Sequence, residues 1–463
     1  MIRLFNAHIP KRMLLLAVSE AALIVVALVA ATMAFLGANS HIVLFYQRGF
    51  VKIGAVCFVC MLCMYYYDLY DSLVLGCSRE AFTRLIQVLG TACLILAVLY
   101  VFDPNLRLEL GILASGAALV GVLLIGWRVM FLMWNRSPRF TERTMILGEG
   151  PLAPSVVEQI HKRPELGMRL QGYVSCGPGP GCAMNGLKRL GDAKDLAAVV
   201  SRERINRIIV TLHEDGGRMP VEDLLHLRTH GVRVDQGVDF YENVAGKVSL
   251  ISPPWTWLLF SFDHRVSRGL RIYHRLSSAA FSALLLILSL PVQVAIALTT
   301  WLDSGSPVLF RQPRVGKDGK VFVLYKFRTM LPNADPDGRV RPAEEHDKRF
   351  TRVGRWLRRT RLDELPQLYN ILRGDMNFVG PRPFACDEEE QLVKQIPFYS
   401  QRWAVKPGAT GWAQVHRPYC ATLEDNIEKF SYDLFYLKNM SIGLDLLILF
   451  KTIKIVLQGR GAR

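Results

Sequence analysis

The residues of this 463-residue chain whose types and spacing could do chemistry gather in its last third. Asp363 and Glu364 stand side by side in Thr360-Arg361-Leu362-Asp363-Glu364-Leu365-Pro366-Gln367. Arg349, Arg352, Arg355 and Arg358 or Arg359 lead up to them at helical spacing, which draws one cationic stripe. Pro366 suits the first turn of a short helix and Gly374 suits its end, so the pattern predicts Asp363 at the N-cap. A carboxylate there has a structural use, accepting from orphan N–H groups. The same position also favours phosphate, and nearby arginines can hold a second phosphate through paired donors. In Phe322–Met330, alternation puts Lys326 and Arg328 on one strand face. Two such cations need an anionic partner, and a diphosphate would serve. Gly380-Pro381-Arg382-Pro383 presents one arginine from a rigid turn, and Lys406-Pro407-Gly408 is a second fixed turn; either alone reads as a surface loop.

The elements that must position these groups begin with four apolar stretches, approximately Met13–Leu36, Phe50–Tyr67, Phe82–Phe102 and Leu110–Trp134. Each has about the 20 residues that cross a bilayer core. Basic residues place both ends of this unit in the cytoplasm: Arg3, Lys11 and Arg12 before it, Arg79 and Arg84 in its middle loop, and Arg136, Arg139 and Arg143 after it. No signal-peptide cleavage pattern closes the first stretch. From Arg143 to about Val248, short apolar runs alternate with helical ones, which predicts a Rossmann-like domain around a parallel sheet. Its strands are expected at Thr144–Gly148, Arg169–Val174, Arg207–Leu212 and Val232–Asp235, its helices at Pro154–His161 and Val221–His230, and a loop at Cys176–Gly186. Gly148-Glu149-Gly150-Pro151-Leu152-Ala153 has the look of a dinucleotide turn, but the second strand lacks the acidic residue that would hold a ribose.

A fifth apolar stretch, about Leu276–Leu302, carries Pro291 near its middle. Arg268, Arg271 and Arg275 precede it and Arg311, Arg314 and Lys317 follow it, so moving either flank across a membrane is unfavourable. A mid-helix proline removes a backbone hydrogen bond and bends the helix. The expectation is a helix that enters one leaflet, bends near Ser289–Pro291 and returns; the alternative is an ordinary kinked span. Ile442–Leu457 predicts an amphipathic helix on the membrane surface, or one packed within its own domain.

Composition agrees with such a composite. The chain is 51% hydrophobic and 21% charged, with mean hydropathy +0.22. That is too apolar for a wholly soluble protein and too charged for a bare bundle of spans. The net charge of +16 fits anionic lipid and phosphate-rich substrates, and most of it is assigned to inner-leaflet headgroups rather than nucleic acid. Nine cysteines show no metal spacing and no disulfide framework, which argues for reduced thiols.

The catalytic portion, about Arg268 to the end, resembles the bacterial sugar transferase family, the polyprenyl-phosphate phosphoglycosyl transferases with a re-entrant membrane helix. The matching pieces stand in the family's order: Asp303-Ser304-Gly305-Ser306-Pro307, Phe310-Arg311-Gln312, Val315-Gly316, Tyr325-Lys326-Phe327-Arg328, Leu362–Gln367, Gly374-Asp375-Met376, Val379–Pro383, Lys406-Pro407-Gly408, Gly411-Trp412 and Tyr432-Asp433. With the four spans and the α/β domain it is similar to the large members of exopolysaccharide and O-antigen assembly. The resemblance implies three parts: four transmembrane helices over 1–137, an α/β domain over 138–250, and a transferase domain over 251–463 with amphipathic interfacial helices and a re-entrant helix at about 276–302. It implies that Asp363 attacks a UDP-sugar, expels UMP and passes the hexose phosphate to undecaprenyl phosphate, with Glu364 as proton acceptor or orienting group. It implies magnesium on Asp363 and Glu364, and phosphate contacts from Arg382, Lys326, Arg328, Arg361, Arg311 and Gln312. An inner-membrane location with cytoplasmic central and catalytic domains follows, and a homodimer is compatible with the larger members. Many members place Ser directly before Pro at the membrane break; here Leu290 separates Ser289 from Pro291. The resemblance leaves the sugar open. Two competing readings remain: a membrane-tethered nucleotide-sugar oxidoreductase or dehydratase using the central domain, and a non-catalytic export scaffold.

Overall fold

The structure, a computed structural model, describes residues 2–4, 7–71, 78–137, 140–177, 186–212, 219–250, 268–331, 334, 347–417 and 422–459. Most of the expected loop Cys176–Gly186 therefore lies outside the described residues. The chain divides into two units, the first running from His8 to Val244 with residues 1–3, the second from Ala245 to Arg463 with residues 4–7.

The first unit opens with four long helices, α1 (Lys11–Leu36), α2 (Gly49–Tyr66), α3 (Ser78–Phe102) and α4 (Leu110–Arg136). All four are long and apolar enough to cross a membrane. Ile24, Leu28, Val56, Leu85 and Leu124 form their shared core. Much of the remaining apolar surface, such as Val18, Phe58, Leu94 and Val122, faces outward, as expected where lipid replaces water. One ion pair is buried among them. Arg128 Nε donates to Glu20 Oε1 at 2.6 Å, and its Nη1 donates to the Leu69 carbonyl at 3.1 Å. A charge removed from water persists where it is paired and hydrogen-bonded, and this one fastens α4 to α1 and to the end of the α2 segment.

A five-stranded parallel sheet follows in the order β3-β2-β1-β4-β5. Its strands are β1 (Glu142–Leu147), β2 (Met168–Ser175), β3 (Arg189–Asp192), β4 (Arg207–Val210) and β5 (Arg233–Gln236). Helices α5 (Ala153–Lys162), α6 (Leu196–Glu203), α7 (Val221–Thr229) and α8 (Gly237–Ala245) accompany them. This is the doubly wound order with its switch between β1 and β4. At that switch Gly148 has φ +96°, and an added Cβ would lie 2.7 Å from the Leu212 side chain. Leu212 thus packs over the turn where a dinucleotide would approach. β2 ends at Ser175 without a carboxylate, as the sequence indicated.

The second unit begins, among its described helices, with the 37-residue α9 (Arg268–Ser304), which contains Pro291. It is also long and apolar enough for a membrane. Ser289 Oγ donates to the Leu285 carbonyl at 2.5 Å and accepts from Gln293 Nε2 at 2.9 Å, so polar side chains line the proline segment. An antiparallel hairpin of β6 (Leu309–Val315) and β7 (Val321–Phe327) comes next, with Arg311 opposite Tyr325 and Phe310 opposite Lys326. Then follow α10 (Arg352–Thr360), α11 (Gln367–Arg373), β8 (Asn377–Val379), α12 (Cys386–Gln395), β9 (Gly408–Thr410), α13 (Trp412–His416), α14 (Leu423–Asn439) and α15 (Ile442–Leu457). β8 and β9 pair in parallel.

Three apolar clusters hold this unit: Trp412, Phe430, Leu434 and Ile448; Leu324, Leu368 and Ile371; and Ile296, Phe327 and Leu357. Each such side chain contributes about 1.5–3 kcal/mol on burial. α15 matches its expected bounds, and one side of it packs within its own domain. Leu444, Asp445 and Ile448 are buried, and Lys451 turns inward, its ammonium 4.7 Å from the Trp412 ring centre. Ile442, Leu446, Phe450, Ile453, Val456 and Leu457 are left exposed, an apolar stripe at helical spacing.

Candidate active site

The site is built where α10, α11 and the β6–β7 hairpin meet. Thr351 caps α10 by accepting from the Gly354 amide at 2.9 Å, and Asp303 Oδ2 accepts from the Val353 amide at 3.1 Å. Gly354 is required by close approach, since an added Cβ would sit 2.0 Å from the Thr329 carbonyl oxygen. Arg361 ends the helix in the left-handed region, φ 57°.

Leu362–Glu364 then forms a single tight turn before α11 starts, with Pro366 at its N-cap. The expected N-cap role for Asp363 is therefore corrected. The left-handed turn at Arg361 and the extra turn after it place Asp363 one step too early to reach the α11 amides. No described residue donates a hydrogen bond to its carboxylate, although Asp363 is only 9% exposed.

α11 is fixed against the hairpin by a residue the sequence did not single out. Asn370, fully buried, accepts from the Tyr325 amide at 3.1 Å and donates to the Val323 carbonyl at 2.7 Å. Its amide continues the β7 ladder as a further strand would, which brings the Asp363–Glu364 turn beside Lys326. At the other end Gly374 closes α11 with φ 97°. Arg275 donates to the Ile371 and Leu372 carbonyls at 3.1 and 3.0 Å, and Lys406 donates to the Gly374 carbonyl at 2.6 Å.

Glu364 is the hub of the charges. Its Oε1 accepts from Lys326 Nζ at 3.0 Å and from Arg382 Nη2 at 2.7 Å. Burial alone would raise the Glu364 carboxyl, but Arg382 and Lys326 outweigh it and hold that group well below the usual range. Asp363 goes the other way. Burial raises its carboxyl, the Glu364 charge adds to this, and Lys326, Arg358 and Arg382 oppose without cancelling it. Burial also lowers Lys326 and Arg358, whereas the Glu364 anion raises Arg382. Two adjacent carboxylates are thus pushed apart, a pattern that marks division of labour. Three cations act on them, so an added anion is favoured.

Arg382 is itself held from behind. Its carbonyl accepts from Arg402 Nη2 at 2.8 Å. Arg402 is buried against Tyr399 Oη at 2.6 Å, Asp433 Oδ2 at 3.0 Å and Glu389 Oε2 at 3.4 Å. Arg314 donates to the Pro383 carbonyl at 3.0 Å and to Gln312 Oε1 at 2.5 Å; burial pushes its guanidinium down to about 10. Asn370, Arg402 and Arg314 support the site from positions whose sequence context gives no pattern, apart from the Tyr432-Asp433 pair that Arg402 meets.

Of the residues singled out in the sequence, Asp363, Glu364, Lys326 and Arg382 come together. Arg328 does not join them: its Nη2 donates to the Ser304 and Gly305 carbonyls at 2.7 and 2.6 Å, which ties the end of α9 to β7. The expected pairing of Lys326 with Arg328 on one face is corrected, because β7 ends at Phe327. Gln312 is engaged by Arg314, and Arg311 lies exposed with its guanidinium 5.8 Å from the Tyr325 ring centre. Among the described residues no three His, Cys, Asp or Glu side chains gather to hold a metal. Magnesium does not need that many, because one or two carboxylates suffice when phosphates complete the shell. Asp363, with no hydrogen bond from the described protein, fits such a ligand; Glu364 offers its second oxygen.

Comparison with known proteins agrees with the geometry. Residues 270–459 match the family described as bacterial sugar transferase, and residues 65–219 match one described as a CoA-binding domain. The chain is 32% identical over 387 residues to the UDP-glucose:undecaprenyl-phosphate glucose-1-phosphate transferase of Escherichia coli K12, covering 81% of this chain and 82% of that one. It is 46% identical over 173 residues to the UDP-N-acetylgalactosamine-undecaprenyl-phosphate N-acetylgalactosaminephosphotransferase of Aeromonas hydrophila, covering 37% of this chain and 41% of that one. It is 34% identical over 337 residues to the undecaprenyl-phosphate glucose phosphotransferase of Komagataeibacter xylinus, covering 70% of this chain and 60% of that one. The fold and site define a membrane-associated sugar-phosphate transferase. The chain belongs to the bacterial sugar transferase family.

Proposed function

We propose that this chain transfers a sugar 1-phosphate from a UDP-sugar to undecaprenyl phosphate, the step that begins a polysaccharide on its lipid carrier. The observation that carries the mechanism is the buried Asp363 carboxylate, unbonded to the described protein, beside a Glu364 that is locked between Lys326 and Arg382. An Asp363 oxygen attacks the sugar-bearing phosphorus of the donor. The bond to the UMP oxygen breaks, and UMP departs with the electron pair. The phosphosugar stays on Asp363 as an acyl phosphate until an oxygen of the lipid phosphate attacks the same phosphorus and frees the carboxylate. Dividing the transfer lets each anion meet a neutralised partner in turn. Glu364 acts as the orienting group: its anion aims Lys326 and Arg382 at the incoming diphosphate. Arg358, on the stripe that leads to the site, adds positive potential. Magnesium, when bound at Asp363, would offset diphosphate charge.

The finer placement belongs to the same proposal. UDP-sugars are made in the cytoplasm, so the site faces the cytoplasm from the inner membrane and α9 enters and leaves on that side. Contacts on both sides of Pro291 support the turn. Arg275 binds the last carbonyls of α11, while Ala297 lines a cavity with Pro366 and Tyr369 at the same helix's start. A straight helix would separate Arg275 from Ala297 by roughly 33 Å, against roughly 10 Å for seven-residue α11.

The relatives' names carry glucose, galactose and N-acetylgalactosamine, so the test is UMP release across those UDP-sugars with undecaprenyl phosphate. One donor is expected to turn over, and Asp363→Asn to lower its rate by about 10³-fold or more. Near-normal release by Asp363→Asn would remove the nucleophile; no release from any donor would favour a non-catalytic role.

A further inference from the structure

The second unit contains a cavity of about 550 Å³ that the phosphate chemistry does not use. Leu286, Val294 and Ala297 of α9 form one wall, and Tyr325, Phe327 and Tyr369 form the other. Gln293 is the polar exception, and its amide nitrogen is already directed to Ser289 Oγ. Val294 and Tyr369 are 60% and 51% exposed, so the cavity opens outward along the apolar face of α9. Two of its lining residues are neighbours of the charged site in sequence: Pro366 follows Asp363 by three residues, and Tyr325 precedes Lys326 on the other face of the same strand. Tyr325 and Tyr369 meet edge to face with ring centres 5.8 Å apart, and the Arg311 cation lies over Tyr325.

An apolar slot along a membrane helix, lined in part by sequence neighbours of a cationic phosphate site, matches one ligand chemistry: a long hydrocarbon with a phosphate head. We infer that this cavity holds the isoprene units next to the phosphate of the polyprenyl acceptor. The inference rests on the transferase reading and adds where this chain grips the lipid. Its size lies within the ~300–1,000 Å³ typical of small-ligand sites, so it takes the beginning of the lipid and leaves the rest in the bilayer. Gripping the first units fixes the phosphate relative to Asp363, which is how binding remote from the reacting atoms contributes to rate. It also separates the two half-reactions, because donor attack on Asp363 does not need the cavity filled.

Two measurements test it. Ala297→Trp fills the cavity without touching a charged group of the site. With labelled UDP-sugar and no acceptor, the variant should form the Asp363 adduct within threefold of the wild-type rate, while its KM for undecaprenyl phosphate rises at least tenfold. Normal adduct formation with an unchanged lipid KM would overturn the inference. Loss of the adduct in wild-type protein would instead remove the transferase reading. Independently of any variant, a polyprenyl phosphate carrying a diazirine in its first isoprene, added to wild-type protein in phosphatidylglycerol vesicles, should label the 286–297 or 366–369 segments. Undecaprenyl phosphate should compete that label. Labelling elsewhere, or labelling competed equally by added phospholipid, would overturn the assignment.

Discussion

Asp363 and Glu364 are neighbours with opposite fates, and the difference is made by three side chains. Glu364 spends one oxygen on Lys326 and Arg382 and stays ionised; Asp363 is buried without a donor from the described protein and is pushed up. In the proposed mechanism the nucleophilic carboxylate works as the anion, so activity should fall as pH drops through the Asp363 value. Because that value is raised, the acid limb of UMP release should lie above the range of an ordinary aspartate. Lys326 opposes the rise, so Lys326→Gln should move the limb to still higher pH and slow release at least tenfold. A pH profile whose limb stays put or moves down in Lys326→Gln would contradict this arrangement. The carboxylates and two of their cations were legible in the sequence because they sit in short, recognisable segments. Asn370 and Arg402 were not, since what they do depends on Val323, Tyr325 and Asp433, brought near only by the fold. Arg328 misled for a related reason: alternation assigns a strand face, and the strand had already ended.

At the scale of elements, hydropathy located every long apolar helix among the described residues, because a run of some 20 apolar residues is the length that crosses a bilayer core and is seldom buried whole in a polar domain. Boundaries shifted by a few residues, as with α3, which starts at Ser78 rather than near Phe82. β3, α6 and α8 were not expected from the sequence; β3, Arg-Leu-Gly-Asp, has a single large apolar residue to mark it as a strand. The basic flanks of α9 read as topological charges in the sequence. Arg275 and Arg314 instead bind backbone carbonyls within their own unit, so the case for a returning helix shifts to the contacts that Arg275 and Ala297 make with α11. A reporter joined after Ser249 and another joined after Leu457 should therefore report the same compartment. Opposite compartments would make α9 a true span and would put Asp363 on the side without UDP-sugars.

Across the whole molecule, composition announced a composite of apolar helices and polar domains, and the comparisons bear out a membrane-associated transferase. Hydropathy was blind to the Glu20–Arg128 pair, since two charges hardly alter the average of two long helices. The order of the parallel sheet was equally out of reach, because strand neighbours are set by long-range pairing. The sheet nevertheless weakens the oxidoreductase reading: Leu212 covers the glycine turn and β2 ends without an acid. The proposed mechanism requires a phosphosugar held on Asp363 between donor and lipid. The most direct measurement is mass spectrometry of the membrane-embedded protein after incubation with UDP-sugar, magnesium and no acceptor. A hexose-phosphate mass on the peptide containing Asp363, discharged on adding undecaprenyl phosphate, is the expected result. UMP released only when lipid is present, with no adduct on that peptide, would contradict it.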